Sequence, residues 1–289
     1  MRMLIRAMRP KQWAKNAFVF AALLFDGRLG ELGALARTLV AFVVFVSVSS
    51  AIYLINDLAD LENDRNHPEK RLRPLASGAL KPATARIAAL VLLVASFALA
   101  SAFVPQVLII TAAYMVLMLL YTYRLKHVVI IDVMAIAAGF VLRVAAGAAA
   151  VQVTRFSPWL YVCTTLLSLF IALNKRRHEI KLLDETAVDH RAILREYSVP
   201  FLDEMTSLVT ATTLAAYSFY TFSAPNLPEN HTMMLTLPFV MYGVFRYLYL
   251  IHVRDLGGTP EDIVLGDRPL LVDILLWALT AGLVLYWPW

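Results

Sequence analysis

The sequence predicts an all-α, polytopic membrane protein with nine transmembrane helices, and three observations predict it. Hydrophobic residues make up 60% of the 289 and charged residues only 16%, against the roughly 45–50% apolar content of soluble domains; mean hydropathy is +0.67. The apolar residues gather into nine runs, most of them near the ~20 residues that cross a bilayer. The charged residues collect between those runs and favour one side. No stretch is left to build a soluble domain, so residues 1–289 read as a single intramembrane domain.

In chain order the expected spans are 13–26, 35–56, 83–104, 106–122, 128–151, 158–174, 203–223, 233–252 and 269–287. Turn chemistry separates them: Asp26-Gly27, Pro82, Pro105, Ser157-Pro158, Pro200, Pro225 with Pro228, Gly257-Gly258 and Pro269. The first span is the weakest, because Lys15 and Asn16 intrude at its start. Residues 1–15 are basic and amphipathic and do not resemble a cleavable signal peptide. With a cytoplasmic N-terminus, loops 57–82, 122–127, 175–202 and 253–268 share its side. Of the 26 Lys and Arg, only Arg28, Arg37 and Arg155 then fall on the far side, with Arg143 and Arg246 inside spans. That bias places a multi-pass protein in the inner (cell) membrane with these loops in the cytoplasm. The net charge of +5 therefore reflects topology, and no nucleic-acid partner is expected. Cys163 stands alone, which excludes an intramolecular disulfide. The sequence sets no oligomeric state and leaves a homo-oligomer open.

One polar stretch dominates the chemistry: Tyr53-Leu54-Ile55-Asn56-Asp57-Leu58-Ala59-Asp60-Leu61-Glu62-Asn63-Asp64-Arg65. If the helix of the second span runs through it at ~100° per residue, Asn56, Asp57, Asp60 and Asp64 fall within an arc of about 100°. Three carboxylates on one face repel one another without a cation, and all-oxygen ligands suit Mg2+, which shares its sphere with substrate phosphates. Lys70, Arg71 and Arg73 follow and could hold phosphate oxygens the metal does not reach. The pattern reads as a magnesium–diphosphate site at the membrane edge; the plain alternative is a solvated charged loop.

Other polar groups lie on the same side. The second short loop carries Tyr123 and Lys126, with Asp132 just inside the fifth span. Arg143 sits at mid-span, where facing lipid is costly, so it should point inward to an anionic partner; that partner is either Asp132 or a phosphate. The sixth span ends in Asn174-Lys175-Arg176-Arg177-His178-Glu179. Lys175 and Glu179 are spaced to pair on one helix face, and the consecutive cations equally suit a phosphorylated ligand or lipid headgroups. His178 has no second ligand at metal spacing and reads as a surface residue. The loop from His252 to Pro269, with Arg254, Asp255, Glu261, Asp262, Asp267 and Arg268 around Gly257-Gly258, reads as a mobile cover or as a solvated connector.

Asn56-Asp57-x-x-Asp60-x-x-x-Asp64 resembles the first aspartate-rich motif of the UbiA-type intramembrane prenyltransferase superfamily. Further stretches resemble its decaprenyl-phosphate phosphoribosyltransferase branch: Arg9-Pro10-Lys11-Gln12-Trp13-Ala14-Lys15-Asn16, residues 67–78, Leu125-Lys126-His127 with Asp132-Val133, residues 139–143, Lys175-Arg176 and residues 266–270. The resemblance implies nine helices around a central cavity open to the cytoplasmic side. It implies Mg2+ held by Asp57, Asp60 and Asp64, with Asn56 assisting. Many members carry a second aspartate-rich motif after the sixth helix; here Asn174-Lys175-Arg176-Arg177 is basic, which fits a donor with an additional terminal phosphate.

The implied reaction is transfer of 5-phosphoribose from phosphoribosyl diphosphate (PRPP) to a polyprenyl phosphate of decaprenyl type, releasing diphosphate. Lys70, Arg71, Arg73, Lys126, Arg143, Lys175 and Arg176 would divide among the phosphates. Lys15 and Asn16 at the membrane edge would meet the lipid phosphate, with Tyr123, Asp132 and Glu179 as further substrate-binding candidates. Two rivals stand beside it. One is prenyl transfer to an aromatic or lipid acceptor; the other is an anion carrier, disfavoured because the ionisable residues cluster at one membrane side. In the resembling branch, the product serves cell-wall biosynthesis.

Overall fold

The computed structural model describes residues 2–68, 70–153, 157–186, 192–224, 227–256 and 260–287, with side chains described except at 182–186, 192, 195, 260 and 261. Regular elements among the described residues are all helical: α1 (Arg2–Ala7), α2 (Ala21–Phe25), α3 (Leu32–Ala59), α4 (Leu61–Asn66), α5 (Pro82–Phe103), α6 (Leu108–Tyr123), α7 (Ile131–Val151), α8 (Pro158–Thr186), α9 (Val199–Ser223), α10 (Leu237–His252), α11 (Pro260–Gly266) and α12 (Arg268–Tyr286). Short 3-10 segments join several of them. The chain divides into two compact units, Met1–Leu23 with Arg28–Thr154 and Leu24–Gly27 with Arg155–Trp289.

Six described stretches are long and apolar enough to cross a bilayer: Leu32–Ala59, Pro82–Phe103, Pro105–Tyr123, Ile131–Val151, Thr232–His252 and Arg268–Tyr286. The protein is thus a multi-pass membrane protein. Three of the nine expected spans do not meet that measure, each for a local reason. In α8 the apolar part ends at Leu173, where Asn174 and the basic residues begin; α9 carries Asp203, Glu204 and a run of threonines. The first expected span is largely a 3-10 helix, Pro10–Phe20, of 11 residues. At ~2.0 Å per residue it covers about 22 Å, where an α-helix of that length would cover about 16 Å.

In the first unit, α3 and α7 are the inner helices, with 56% and 61% of their apolar windows buried against 17% for α5. Ala41, Val44, Phe45 and Val48 form one helical stripe of α3 and pack with Val19, Ala100, Val104, Val107, Tyr114, Ala146 and Ala150. α5 turns Ile87, Leu90, Val91 and Val94 outward, the face that bilayer hydrocarbon covers in a membrane protein. Two arginines expected on the far side prove to cap α7: Arg37 Nε donates to the Ala150 carbonyl at 2.8 Å and Arg28 Nη1 to that of Val151 at 2.7 Å. They satisfy C-terminal carbonyls that the helix cannot.

The 3-10 helix lies directly on α7. A Cβ at Gly147 would sit 1.9 Å from the Val19 carbonyl oxygen, so the backbones meet with no side chain between them. Gly147→Ala is expected to destabilise the protein by about 1–3 kcal/mol, read as a lower thermal midpoint in detergent. Gly282→Ala on α12 has nothing within 4 Å and should not lower that midpoint.

In the second unit, Phe170, Val244, Tyr247, Leu250, Ile251, Ile263 and Leu270 make one core, and Tyr217, Tyr220, Ala224, Met233, Ala281 and Val284 another. The conspicuous Gly266-Asp267-Arg268-Pro269-Leu270 stretch is a helix start: Asp267 Oδ1 accepts from the Leu270 amide at 2.9 Å, and Pro269 lies in the first turn of α12. The same carboxylate takes a two-pronged contact from Arg246 of α10, Nε at 3.1 Å and Nη2 at 2.8 Å. The Arg246 hydrogen bond holds the Asp267 carboxyl below its ordinary range. Its stabilising contribution is therefore present above the usual carboxylate pKa and lost as pH falls through the depressed value.

Candidate active site

The acidic stretch forms the end of α3 and the start of α4. The helix does not run through unbroken as the periodicity predicts; Asp60 leaves helical geometry at φ −95° and ψ 10°. Register nevertheless carries across, because the Asp60 amide bonds to the Asn56 carbonyl at 2.9 Å and the Asp64 amide to that of Asp60 at 2.8 Å. Asp57 and Asp64 are buried, with 2% and 4% exposure. Both reach one atom: Arg73 Nη1 lies 2.6 Å from Asp64 Oδ2 and 3.4 Å from Asp57 Oδ1. Asp60 is held separately, its Oδ1 accepting from Lys126 Nζ at 2.6 Å and its Oδ2 from Asn56 Nδ2 at 3.3 Å.

Arg9 completes the set and was not singled out from the sequence as a site residue. Its guanidinium donates to Asp57 Oδ1 and lies over the Tyr53 ring, 4.9 Å from the centroid. The site therefore balances three carboxylates against Arg9, Arg73 and Lys126. Among the described residues, no three His, Cys, Asp or Glu side chains stand together as a ready metal cage. What converges is the pair Asp57 and Asp64, on a seat filled by a guanidinium. Two carboxylates sharing one cation position, with a third acid close in sequence, fit a hard divalent ion in donor type and charge.

The rest of the basic sequel divides. Arg71 is exposed, its Nε donating to the Pro68 carbonyl at 3.1 Å, and Lys70 is half-buried, its amide bonded to His67 Nδ1. Arg65 pairs outward with Glu62 at 2.8 Å. Tyr123 is 58% exposed, Lys15 is half-buried and Asp132 is fully buried in the first turn of α7. Just before it, Ile130 takes φ 69°, a strained conformation for a β-branched residue and one the sequence did not signal.

Asn16 requires a correction. Expected at the membrane edge on a lipid phosphate, it has 0% exposure; its Oδ1 accepts from Arg143 Nε at 2.8 Å and its Nδ2 donates to Ser49 Oγ at 3.2 Å. Arg143 turns inward as expected but finds neutral partners, also donating to the Gly139 carbonyl at 2.9 Å and Tyr114 Oη at 2.8 Å. Its guanidinium lies over the Tyr114 and Phe140 rings. Among the described residues no carboxylate pairs with it, so the expected Asp132 bridge is absent.

In the second unit, Arg176 and Arg177 are buried, at 2% and 6% exposure. Arg176 pairs with Glu179 one turn on, and Arg177 Nε reaches Asp203 Oδ1 of α9 at 2.5 Å. Lys175 and His178 are half-buried. Asn174 is 1% exposed, and its Oδ1 has no hydrogen-bond partner among the described residues. Lys181 pairs with Asp255 at 2.8 Å, and that contact holds the Asp255 carboxyl below its ordinary range. Gly257-Gly258 of the expected cover, and the side chain of Glu261, lie outside the described residues.

The chain is similar to known proteins in sequence and in fold. A profile of the UbiA prenyltransferase family matches residues 17–259. The decaprenyl-phosphate phosphoribosyltransferase of Mycobacterium tuberculosis is 32% identical over 282 residues, covering 96% of this chain and 92% of that protein. The enzyme of the same name from Mycolicibacterium smegmatis is 33% identical over 296 residues, covering 98% and 92%. Among solved structures, a UbiA homolog from Archaeoglobus fulgidus bound to GPP and Mg2+ superposes with a TM-score of 0.75 at 17% identity, over 98% of this chain and 99% of that one. That likeness establishes a shared fold.

Proposed function

The chain belongs to the UbiA prenyltransferase family, and on that premise we propose that it transfers 5-phosphoribose from PRPP to a polyprenyl phosphate of decaprenyl type, releasing diphosphate. Nine membrane spans, with the acidic stretch at the cytoplasmic face of the cell membrane, complete this reading. The observation that carries the choice of donor is the end of α8, where buried Arg176 and Arg177 stand beside Lys175. A donor with phosphorus at both ends of its sugar uses more cations than a prenyl diphosphate does. Full-length likeness to two proteins named decaprenyl-phosphate phosphoribosyltransferase supports the same choice.

Asp57, Asp64 and Asp60 would hold Mg2+, with Asn56 fixing the Asp60 carboxylate. When bound, the ion supplies a Lewis acid that takes up charge on the leaving diphosphate. Arg73 and Lys126, paired with these carboxylates, would exchange a carboxylate for a phosphate oxygen, each as a charge-assisted donor. Lys70 and Arg71, on the loop before Arg73, are within the same segment and serve as further phosphate donors. Lys175 and Arg176 are assigned to phosphate binding, and Lys15 to the lipid phosphate at the headgroup level. Arg143 would act on anionic substrate through its remaining N–H groups and its charge, which pairs with no carboxylate among the described residues. The acceptor phosphate is largely ionised near neutral pH and attacks ribose C1 without a dedicated base.

Purified protein with labelled PRPP, decaprenyl phosphate and Mg2+ should yield a ribosylated lipid, and chelation of the metal should abolish it. Prenylation of an aromatic acid from a prenyl diphosphate, with no ribosylated lipid, would overturn the assignment.

A further inference from the structure

Arg9 sits where α1 gives way to the 3-10 helix, with φ 55° and ψ 66°. A non-glycine residue in this left-handed region carries strain that its surroundings must hold. They do so on both sides, since the Arg9 amide bonds to the Arg6 carbonyl at 3.2 Å and the Gln12 amide to the Arg9 carbonyl at 2.8 Å. The strained turn projects the side chain onto Asp57, and the Tyr53 ring, one turn before Asp57 on α3, lies beneath the guanidinium.

Asp57 Oδ1 is therefore shared by two guanidinium groups, Arg9 and Arg73. A carboxylate oxygen so occupied is a poor ligand for a divalent cation, because the incoming charge meets two fixed positive groups. Arg9 is 28% exposed at its side chain while Asp57 is 2%, so Arg9 has room to turn outward and Asp57 does not. The planar fork of a guanidinium matches a phosphate oxygen pair as well as a carboxylate. From this geometry, and resting on the metal–diphosphate reading above, we propose that Arg9 is a diphosphate-binding latch. In the ligand-free protein it neutralises Asp57; when metal and diphosphate arrive together, it gives up Asp57 and takes a diphosphate oxygen. The latch makes metal binding weak without diphosphate and strong with it, so the site loads both or neither.

The test uses the full chain in nanodiscs, with Mn2+ binding alone followed by electron paramagnetic resonance and inorganic diphosphate binding with Mg2+ followed by calorimetry. Arg9→Gln is expected to bind Mn2+ alone several-fold more tightly and magnesium diphosphate about 10-fold more weakly, the scale of one charge-assisted hydrogen bond. Arg9→Lys should restore part of the diphosphate affinity. A simple brace between α1 and α3 would lower both affinities together, and that result, or any pattern lacking the opposed shifts, overturns the latch. If Arg9→Gln does not fold, Arg9→Lys decides the question by the same pair of shifts in smaller measure. Wild-type protein that binds neither Mn2+ nor magnesium diphosphate would instead bring down the metal–diphosphate reading, and the latch with it.

Discussion

Asp64→Asn is expected to lower phosphoribosyl transfer by about 100- to 1000-fold, the loss that follows removal of one preorganised charge from a transition-state site. The substitution keeps the shape and one acceptor oxygen while it removes the charge and turns the other oxygen into an N–H donor, so the effect reports what the carboxylate contributes. Asp64 is buried and meets Arg73 at 2.6 Å, with Asp57 reaching the same nitrogen. Loss of its charge weakens the proposed seat for Mg2+ and leaves Arg73 with Asp57. The neighbouring acid serves as control: Glu62 has a side chain 79% exposed and pairs with Arg65 on the surface, a contact worth a few tenths of a kcal/mol. Glu62→Gln should therefore leave turnover unchanged. Turnover measured with labelled PRPP separates the two outcomes, and wild-type rates in Asp64→Asn would remove these carboxylates from the mechanism.

The acid face could be read from sequence because a helix imposes it. Positions 56, 57, 60 and 64 repeat at helical spacing, and their backbone bonds carry that register across the break at Asp60. Lys126 was legible as a cation in a short loop, though not its reach to Asp60 across a separation of 66 residues. The segment after the aspartates has turn chemistry and no period, so nothing in its pattern distinguishes Arg73, which faces the acids, from Arg71, which does not. Arg9 stands 48 residues from Asp57; its contact is made by tertiary packing and a left-handed turn, neither of which leaves a local signature. The 3-10 form of Pro10–Phe20 was hidden likewise. Its tight approach to Gly147 depends on a partner far along the chain, and only the intrusion of Lys15 and Asn16 marked that span as irregular.

Asn16→Ala should destabilise the protein more than Arg143→Met, although the arginine is the larger and costlier group to bury. Arg143 is 5% exposed and holds its charge by neutral acceptors: Asn16 Oδ1, the Gly139 carbonyl and Tyr114 Oη, with the Tyr114 and Phe140 rings alongside. Removing Asn16 leaves a buried cation one acceptor short and costs about 2–3 kcal/mol. Removing the cation itself leaves only neutral groups, and Tyr114 can turn its hydroxyl toward another acceptor. Replacing a buried charge by an apolar side chain of similar length is often close to neutral, so a cost of about 1 kcal/mol is expected for Arg143→Met. The double variant should then be no less stable than Asn16→Ala alone, because the stranded charge is gone, and denaturation midpoints in mixed micelles give this coupling directly. The activity of Arg143→Met answers a separate question: a strong loss of transfer at near-native stability assigns the uncancelled charge to an anionic substrate. An Arg143→Met cost equal to or above that of Asn16→Ala would instead make the network a structural clamp between the 3-10 helix, α6 and α7, with the charge secondary to its packing.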